Sequence, residues 1–250
     1  MSQLGIIIQA RTGSTRMPEK VIHPFYRGQT ILDLLLEKVK KLNLPVVLAT
    51  TVNPCDDRLC TLAEKHGVPV FRGSENDVLD RFIQAAHQFG FNKIIRVCAD
   101  NPFLDLSALK TLTDQFNQSD ADYFGFQLDG NKPSILTHFG FWAEGVRLDA
   151  LEKAAGLTTE KLYHEHVTNF IYGNPKLFDV QFIAADPVVF SRTDIRMTLD
   201  TLEDFEMQVK IFDEINKENP NFGLREIVRW LDKQPEILEK MKLEIMRNQK

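Results

Sequence analysis

The stretch "GIIIQARTGSTRMPEK", residues 5–20, decides the fold and contains the first candidate site. Its isoleucines form an apolar run without polar alternation, which is typical of a strand buried on both faces. The run then changes into glycine, small hydroxyl residues and the cations Arg11, Arg16 and Lys20. Ligands of open α/β sheets bind beyond the carboxyl ends of the strands, so this loop occupies the position of a ligand site.

Apolar runs of strand length alternate with helical patterns through the first half of the chain. This alternation, with right-handed crossovers, predicts an α/β fold: a doubly wound, mostly parallel sheet with helices on both faces. Strands are predicted at 4–9, 45–51, 68–71 and 93–98, and helices at 30–42, 55–67 and 76–90.

The second half of the chain is less regular. Turn residues followed by aromatic residues at about 127–145 predict a β-arm that leaves the main sheet. We predict a single domain over 1–250, with this arm and a helical C-terminal extension at about 203–250. Further helices are predicted at 105–119, 147–156 and 159–174, and further strands at 121–126, 176–185 and 195–199.

Composition and charge limit the possible partners. The formal net charge of −5 gives no general attraction to nucleic acid or anionic membranes, so neither partner is expected and a polyanion must be bound by a local cluster. No apolar run approaches the roughly 20 residues of a membrane span, and Met1 leads into a strand rather than a secretory signal. We therefore expect a cytoplasmic protein.

The loop after the first strand offers the donors that phosphate groups need. Glycine permits close approach of the backbone, hydroxyl groups donate hydrogen bonds, Arg has a forked donor edge and Lys is a compact charge. Together they predict a triphosphate cradle, and the alternative is a solvated basic turn. The loop matches neither GxxxxGK[ST] nor GxGxxG, which argues against a P-loop NTPase and a dinucleotide-binding Rossmann domain. The residues of this cradle are Arg11, Gly13, Ser14, Thr15, Arg16 and Lys20.

Two aspartates follow predicted strands at the same edge of the sheet. Asp100 comes just after the strand at 93–98, and Asp200 directly follows the one at 195–199, before a helix that Thr201 and Glu203 help to start. Carboxylates placed in this way can converge on one metal ion. From the residues alone, Asp100 can equally be a turn-former and Asp200 a helix cap.

The opening stretch resembles the signature A-R-x-G-S-x-R-x-P-x-K of the spore coat polysaccharide biosynthesis protein F family. These are cytidylyltransferase-like proteins related to the CMP-sialic acid and CMP-Kdo synthetases. Later segments resemble the family in the same order, from about residue 4 to residue 210. Those segments are "ATTVNPCDD", "VPVFRGSENDVLDRF", "IIRVCADNPFLD", "HEHVTNFIYGNP" and "RMTLDTLEDFE".

The resemblance implies a GT-A-like nucleotidyltransferase that uses CTP and a divalent metal, Mg²⁺. It implies transfer of CMP to a sugar or sugar phosphate, with release of pyrophosphate, for surface polysaccharide or glycan biosynthesis. Asp100 and Asp200 match the metal-binding aspartates of the family. Arg11, Arg16 and Lys20 are then the catalytic cations that bind the phosphates and the departing pyrophosphate.

Other residues are implied to bind the nucleotide. The segment "FRGSENDVLDRF" resembles the part of the family that lies near the nucleotide, and the backbone at Ala10 is placed to contact the base. The charged members can instead lie on a helix face. The complete set of nucleotide-binding candidates is Ala10, Arg11, Thr12, Gly13, Ser14, Arg16, Lys20, Arg72, Gly73, Ser74, Asp80 and Arg81.

The acceptor segment departs from the family. Relatives often carry P-x-G-x-D-x-E, whereas "GFWAE" keeps Gly140 and Glu144 but has Trp142 in place of the acid. An aromatic ring can stack on a sugar but cannot ligate metal. The acceptor therefore differs from that of typical relatives, the alignment slips by a residue or two, or the arm forms an interface. Core packing is the structural alternative.

The segment "YHEHVTNF" contributes two more candidates. Glu165 and His166 match the E-H-V-T segment of the family, which implies a role in lining the substrate site or anchoring the arm. His164 and His166 do not form a zinc pair, because residues i and i+2 of a helix do not face each other. The aromatic density of the arm, with the arms of related synthetases, implies a homodimer.

Two other functions stay open at this point. A GT-A-type glycosyltransferase would consume a nucleotide sugar, but such enzymes generally need a D-x-D motif and Asp100 lies in "ADNPF" without one. A non-catalytic nucleotide-binding subunit that has lost its acceptor site is the other alternative, and Trp142 motivates it.

Overall fold

A computed structural model describes residues 3–14 and 16–248 of the chain. Within these residues, the main sheet has the strand order β5-β4-β1-β6-β8-β7-β9, in which β8 is antiparallel to both neighbours and all other pairings are parallel. The mostly parallel sheet is therefore confirmed. The strands are Leu4–Gln9 (β1), Pro24–Tyr26 (β2), Gln29–Thr30 (β3), Val46–Thr51 (β4), Val70–Gly73 (β5), Lys93–Cys98 (β6), Tyr123–Gln127 (β7), Glu144–Arg147 (β8) and Val180–Ala184 (β9).

Helices cover both faces of this sheet, and β1 shows why. Ile6 and Ile8 point into one hydrophobic cluster and Ile7 into the other, and all three are fully buried. A strand covered on both faces has no polar alternation, as the sequence indicates. The helices are Ile31–Lys40 (α1), Asp57–Lys65 (α2), Val78–Phe89 (α3), Leu106–Gln118 (α4), Leu148–Leu157 (α5), Lys161–Glu165 (α6), Asn169–Gly173 (α7), Leu202–Glu218 (α8), Leu224–Leu231 (α9) and Pro235–Arg247 (α10).

The C-terminal helices belong to the core. Helices α8, α9 and α10 confirm the helical prediction for this part of the chain. Ile211, Val228 and Met241, one from each helix, are buried in the same hydrophobic cluster as Ile6 of β1. In the described part of the chain, no helix is both long enough and apolar enough to cross a membrane.

The segment between β7 and β8 does not form the predicted β-arm. It contains two 3-10 turns, Asp129–Asn131 and Ser134–Leu136, and then enters β8 in the middle of the sheet. Phe139, Phe141 and Trp142 are buried. These aromatic residues therefore pack in the core, which was the alternative to an interface. Burial of apolar rings inside the chain favours this arrangement over an extended hairpin.

Two other predictions for the second half were wrong. Residues 195–199 form no strand, because the amides of Met197 and Thr198 both donate to the carbonyl of His138 instead of forming a ladder. Gly140 permits this contact: its φ is +65°, and an added Cβ would lie 2.7 Å from the Met197 carbonyl oxygen. The predicted helix at 159–174 is divided into α6 and α7 by a turn that begins at His166.

The topology determines which loops can share a site. The loops after β1, β4, β5 and β6 leave the same edge of the sheet, because these strands are parallel. β8 is antiparallel to β6, so its first residue, Glu144, lies at this edge, opposite Arg96. We call this edge the reaction edge.

Candidate active site

The loop after β1 is held by a buried acid that the sequence did not reveal. Asp56 is 1% exposed and accepts hydrogen bonds from the backbone amide of Thr12 at 2.8 Å and from its hydroxyl at 2.6 Å. The hydroxyl of Thr51 donates to its other oxygen. Burial raises the pKa of the Asp56 carboxyl, but these hydrogen bonds outweigh burial and leave the pKa below its ordinary value. An ionised Asp56 therefore fixes the start of the loop.

The loop then folds back on itself. The amides of Ser14 and Glu19 both donate to the Thr12 carbonyl at 2.9 Å, and Glu19 adopts a left-handed conformation with φ of +58°. A 3-10 turn, Lys20–Ile22, follows and buries Lys20. The predicted hydroxyl donor Thr15 lies outside the described residues. The fold-back brings Arg16 and Lys20 to the reaction edge.

Both cations contact the two aspartates predicted to bind metal. The Lys20 ammonium lies 2.7 Å from Asp100 Oδ2 and donates to the Leu199 carbonyl at 2.6 Å. Arg16 Nη2 lies 2.7 Å from Asp200 Oδ1. We call Lys20–Asp100 and Arg16–Asp200 the loop ion pairs. The structure thus brings together two cations and two acids from three distant segments of the chain.

A second arginine, which sequence reasoning missed, holds Asp200 from behind. The Arg196 side chain is fully buried, and its Nη2 lies 2.9 Å from Asp200 Oδ2 and 2.8 Å from Asp204 Oδ2. Its Nη1 donates to His138 Nδ1 at 2.7 Å. Asp204 also accepts from the backbone amides of Asp200 and Thr201. Arg196 therefore joins one carboxylate oxygen of Asp200 to the start of α8 and to the segment before β8.

The start of α8 has a sequence signal. Thr201 is the N-cap, as predicted, and forms a capping box with Asp204 rather than with Glu203. The pattern T-x-x-D was visible in the sequence and identifies Asp204. Burial raises the pKa of Asp204, whereas Arg196 and the backbone donors lower it. The lowering effects together outweigh burial, so the pKa lies below its ordinary value.

A cavity of about 570 Å³ opens at the reaction edge. Asp100 and Asp200 both line it, so the structure places the two acids at one cavity, although Asp200 follows an irregular segment and not a strand. Their binding of a metal stays a prediction. The other lining residues are Arg96, Cys98, Asn101, Ser134, Ile135, Leu136, Thr137, Gly140, Trp142, Ala143, Glu144, Leu162, His166, Asn169, Tyr172 and Thr198.

One wall of this cavity is a buried polar cluster around Glu144. Arg96 Nη1 lies 2.5 Å from Glu144 Oε2, and the Tyr123 hydroxyl donates to Oε1 at 2.6 Å. The Thr168 hydroxyl lies 3.1 Å from Oε1. Burial, followed by the Glu144 charge, raises the pKa of Tyr123 well above its ordinary value. We call Arg96, Tyr123, Glu144 and Thr168 the Glu144 cluster; its charges compensate one another.

Trp142 lines the cavity, but most of its ring packs against neighbouring aromatic side chains. Its ring stacks on Phe126 with centroids 5.8 Å apart and meets Phe139 and Phe141 edge to face. It is 9% exposed, and the remaining surface lines the cavity. Stacking of Trp142 on a sugar stays a prediction.

The turn after α6 contains the other acceptor candidates. Glu165 Oε1 lies 3.7 Å from Arg11 Nη2, and both side chains are well exposed, so this ion pair is weak. His166 lines the cavity, whereas His164 contacts Asp77 and the Thr158 carbonyl instead. The Thr158 carbonyl, followed by Asp77, raises the pKa of His164, although burial opposes this shift.

The predicted nucleotide-binding arginines of the β5 region make internal contacts. Arg72 donates to the carbonyls of Thr51 and Asn53 and pairs with Asp57 at 2.6 Å. Arg81 is fully buried and donates to the Ser74 carbonyl at 2.9 Å. Their contacts to a nucleotide stay predictions.

The remaining nucleotide candidates lie in the loops after β1 and β5 and in the first turn of α3. Ala10 is buried and its amide donates to Ala49 of β4 at 3.3 Å. A Cβ at Gly13 would lie 3.4 Å from Glu75, an ordinary contact. Gly73 is more restricted, because a Cβ there would lie 2.8 Å from Phe71. Asp80 lies in the first turn of α3, where its carboxylate accepts from Gln84.

The donor set fits a magnesium ion. Asp100 and Asp200 supply hard oxygen ligands at one cavity, and Mg²⁺ usually binds through one or two carboxylates together with substrate phosphates and water. The residues in 3–14 and 16–248 contain no group of three or more His, Cys, Asp or Glu side chains arranged to hold a metal alone. An ion held by these two carboxylates would complete its coordination with water or with oxygens of a bound substrate.

Comparison with other proteins gives relatives over nearly the whole chain. An uncharacterised protein of Methanocaldococcus jannaschii is 38% identical over 92% of this chain and 91% of its own length. The spore coat polysaccharide biosynthesis protein SpsF of Bacillus subtilis is 34% identical over 94% of this chain and 97% of its own.

Solved structures share the fold. A cytidylyltransferase from Leptospira borgpetersenii has a TM-score of 0.82 and 29% identity, covering 95% of this chain and 97% of its own. A CMP:2-keto-3-deoxy-manno-octonic acid synthetase complexed with CTP has a TM-score of 0.64 and 15% identity, covering 85% and 99%. A Mycobacterium tuberculosis protein in complex with manganese has a TM-score of 0.58 and 14% identity, covering 84% and 99%.

A sequence model of the cytidylyltransferase family matches residues 5–245. This range includes the loop after β1, both cavity aspartates and Arg196, so the match and the site involve the same parts of the chain. The resemblance seen in the sequence is therefore confirmed: the chain belongs to the cytidylyltransferase family.

Proposed function

We propose that the protein transfers CMP from CTP to a sugar or sugar phosphate and releases pyrophosphate, for surface polysaccharide or glycan biosynthesis. The observation that carries the proposal is that Asp100 and Asp200 line one cavity and that each is paired with a cation of the loop after β1, Lys20 and Arg16, although these cations are not themselves lining residues. Family membership supports nucleotidyl transfer. The relative named for spore coat polysaccharide biosynthesis and the fold neighbour complexed with CTP support the pathway and the nucleotide.

Asp100 and Asp200 would hold the divalent ion, and the manganese-bound fold neighbour is consistent with a metal at such a site. When bound, the ion would offset negative charge on the reacting phosphates. Arg196 keeps one oxygen of Asp200 fixed at 2.9 Å, so the carboxylate is oriented before any ligand arrives. Pre-oriented groups lower the reorganisation needed in the transition state.

The cations would act on the triphosphate. Arg16 and Lys20 exchange their aspartate partners for phosphate oxygens when substrate binds, and Arg11 reaches the same anion from the weak pair with Glu165. Cations placed opposite the departing pyrophosphate stabilise the charge that develops there. Asp56 keeps the backbone of the loop in place during this exchange through its bonds to Thr12.

The acceptor would enter the cavity beside the Glu144 cluster. Its attacking oxygen must reach the α-phosphorus of CTP from the side opposite pyrophosphate, and the alignment of these atoms supplies much of the acceleration. We further propose that the protein acts in the cytoplasm and forms a homodimer.

The test is a pyrophosphate assay with Mg²⁺, each nucleoside triphosphate and a panel of sugars and sugar phosphates. Release that needs both CTP and an acceptor, and that is lost in Asp200→Asn, supports the proposal. Transfer only from a preformed nucleotide sugar would identify a glycosyltransferase instead. Nucleotide binding without turnover on any acceptor would identify a non-catalytic subunit.

A further inference from the structure

One edge of the main sheet has no partner strand in the described part of the chain. There β9 ends the sheet and pairs with β7 alone. Gln181 and Ala184 of this strand are exposed, and Val180, Phe182 and Ile183 are half-buried. A row of unpaired backbone N–H and C=O groups at such an edge is a template for another strand.

The pairing with β7 determines which backbone groups of β9 point outward. At one end of the ladder the amide of Tyr123 donates to the Asp179 carbonyl, and at the other end the amide of Ala185 donates to the Gln127 carbonyl. Because the hydrogen bonds of a strand alternate between its two sides, the odd-numbered residues of β9 bond to β7. Within residues 3–14 and 16–248, no other backbone group bonds to the even-numbered ones. The outward N–H and C=O groups are therefore those of Val180, Phe182 and Ala184.

The two edges of the sheet differ in how they discourage a further strand. The opposite edge is β5, which follows Pro69 and carries the charged Arg72. Proline and charged side chains are common means of protecting an edge. The sequence of β9, VQFIA, contains neither proline nor charge. Of these two edges, β9 is the one that can accept another strand.

We propose that β9 pairs antiparallel with β9 of a second copy of this chain, and that this pairing forms the homodimer. The pairing is centred on Phe182, which lies opposite Phe182 of the second copy, and Val180 lies opposite Ala184. Every outward N–H then meets an outward C=O in a single register. A two-fold interface requires such a self-complementary surface. The inference rests on the homodimer of the proposed function and not on the transfer reaction.

The side chains of this register are compatible with a second copy. Phe182 already meets Tyr123 edge to face, with centroids 5.8 Å apart, and pairing brings the two Phe182 rings together and removes more apolar surface from water. The acid beside the strand, Asp179, lies opposite Ala185 of the second copy, so no two acids face each other. A strand of another protein would have to supply this register, whereas a second copy supplies it by symmetry.

The test removes one outward N–H group. Ala184→Pro deletes this donor and places the proline ring where the second copy approaches, whereas the bonds to β7 use the amides of neighbouring residues. The dimer loses one hydrogen bond on each side of its axis, so its dissociation constant should rise about 30-fold or more. Ala184→Ser keeps the N–H, and this matched control should dimerise like wild type. Analytical ultracentrifugation measures the dissociation constant, and circular dichroism checks the fold.

Hydrogen exchange locates the interface without any substitution. At concentrations where the wild-type dimer prevails, the amides of Val180, Phe182 and Ala184 should exchange about 10-fold more slowly than at concentrations where the monomer prevails. The amides of Gln181 and Ile183 bond to β7 and should be protected in both. Mass spectrometry with fragmentation to single amides gives these rates. If Ala184→Pro does not fold, this experiment alone decides the inference.

The outcomes separate this inference from the transfer reaction. A wild-type chain that stays monomeric at about 1 mM overturns the inference, since an association weaker than this is not a stable dimer. A dimer that Ala184→Pro leaves intact, or in which the outward amides of β9 exchange as fast as in the monomer, places the interface elsewhere and also overturns it. No residue of β9 lines the cavity, so Ala184→Pro should keep the wild-type kcat/KM for pyrophosphate release. If wild type shows no turnover of CTP, the transfer reaction fails and the dimer measurements still decide the inference.

Discussion

The loop ion pairs and the Glu144 cluster both join opposite charges at one cavity, but they differ in burial and in number of partners. Arg96 and Glu144 are 8% and 5% exposed, and Glu144 has further donors in Tyr123 and Thr168. Each loop ion pair has one more exposed member: Arg16 and Asp100 are 53% and 35% exposed, whereas their partners Asp200 and Lys20 are 18% and 11% exposed. A buried, multiply bonded pair is costly to open, whereas a pair with a solvent-accessible member exchanges partners more readily. The charges of the Glu144 cluster are therefore fixed, whereas those of the loop ion pairs are available to a substrate.

Asp200 pairs with one exposed arginine, Arg16, and one buried arginine, Arg196. Its substitution should have the largest effect on activity. Asp200→Asn should lower kcat by about 10³-fold or more, because the site would lose the charge that we propose ligates the metal while Arg196 and Arg16 remain. Circular dichroism should show a native fold. The measurement is metal-dependent pyrophosphate release; near-normal release would contradict the assignment.

Substitution within the Glu144 cluster should first lower the stability of the fold. Arg96→Met leaves the Glu144 carboxylate buried without its cation, which should lower the free energy of unfolding by about 3 kcal/mol or more. Urea denaturation measures this loss. A change below about 1 kcal/mol would mean that the cluster is as exchangeable as the loop ion pairs.

Asp56 should behave as a fixed group with a defined pH dependence. Its folded pKa lies below the ordinary value of 3.8, so the stability it contributes is complete above that value and is lost as the pH falls through the folded pKa. Asp56→Asn should lower the free energy of unfolding by about 2 kcal/mol at pH 7, because hydrogen bonds to a charged acceptor are lost.

This difference between Asp56→Asn and wild type should shrink below about pH 4, since the wild-type carboxylate is then being protonated. Urea midpoints from pH 7 to pH 3 provide the measurement. Asp114→Asn, at an exposed site on α4, is the control and should change stability by about 0.5 kcal/mol or less. A difference that is constant across the whole range would show that Asp56 is not the titrating group.

The smallest effect concerns exchange in the loop ion pairs. Lys20→Met removes the cation that lies 2.7 Å from Asp100, so Mn²⁺ should bind the protein without nucleotide about 10-fold more tightly than it binds wild type. The same variant should turn over CTP more slowly, because it loses the charge that we propose binds phosphate. Isothermal titration with MnCl₂ measures the first effect.

Lys110→Met is the matched control, since Lys110 forms a surface ion pair with Asp114 at 2.9 Å away from the cavity lining. It should leave Mn²⁺ affinity unchanged. Weaker or unchanged Mn²⁺ binding in Lys20→Met would show that Lys20 does not compete with a metal for Asp100.

The strands that the sequence predicted best are those buried on both faces. The run around Ile7 has no polar alternation, and a buried parallel strand has that pattern wherever it occurs. β8 was missed because Glu144 and Gly145 interrupt its short apolar pattern, and its partners Arg96 and Tyr123 lie far away in sequence. Pairing with distant strands overrides local propensity in such segments.

Some residues of the candidate site could be placed from the sequence and others could not. Lys20, Asp100 and Asp200 could be placed at one edge because each lies near the end of an apolar segment or within a recognisable motif. Arg196 and Asp56 could not, because their importance depends on contacts to Asp200 and Thr12 that no local pattern encodes. The predicted strand before Asp200 failed because the amides of Met197 and Thr198 donate to the His138 carbonyl, an approach that the left-handed conformation of Gly140 permits.

The reversed direction of β8 has a consequence for how the cavity wall is built. In a fully parallel sheet, the connection that precedes a strand lies at the far edge, away from the chemistry. Here residues 128–143 precede β8 and border the cavity, yet the pairings of β7 and β8 with their neighbours lie outside that connection. Its first part, with the two 3-10 turns, carries the exposed Leu136, whereas Phe139, Phe141 and Trp142 are buried, so a change of length within 129–136 would reshape the cavity wall while the buried end of the connection keeps β8 in place.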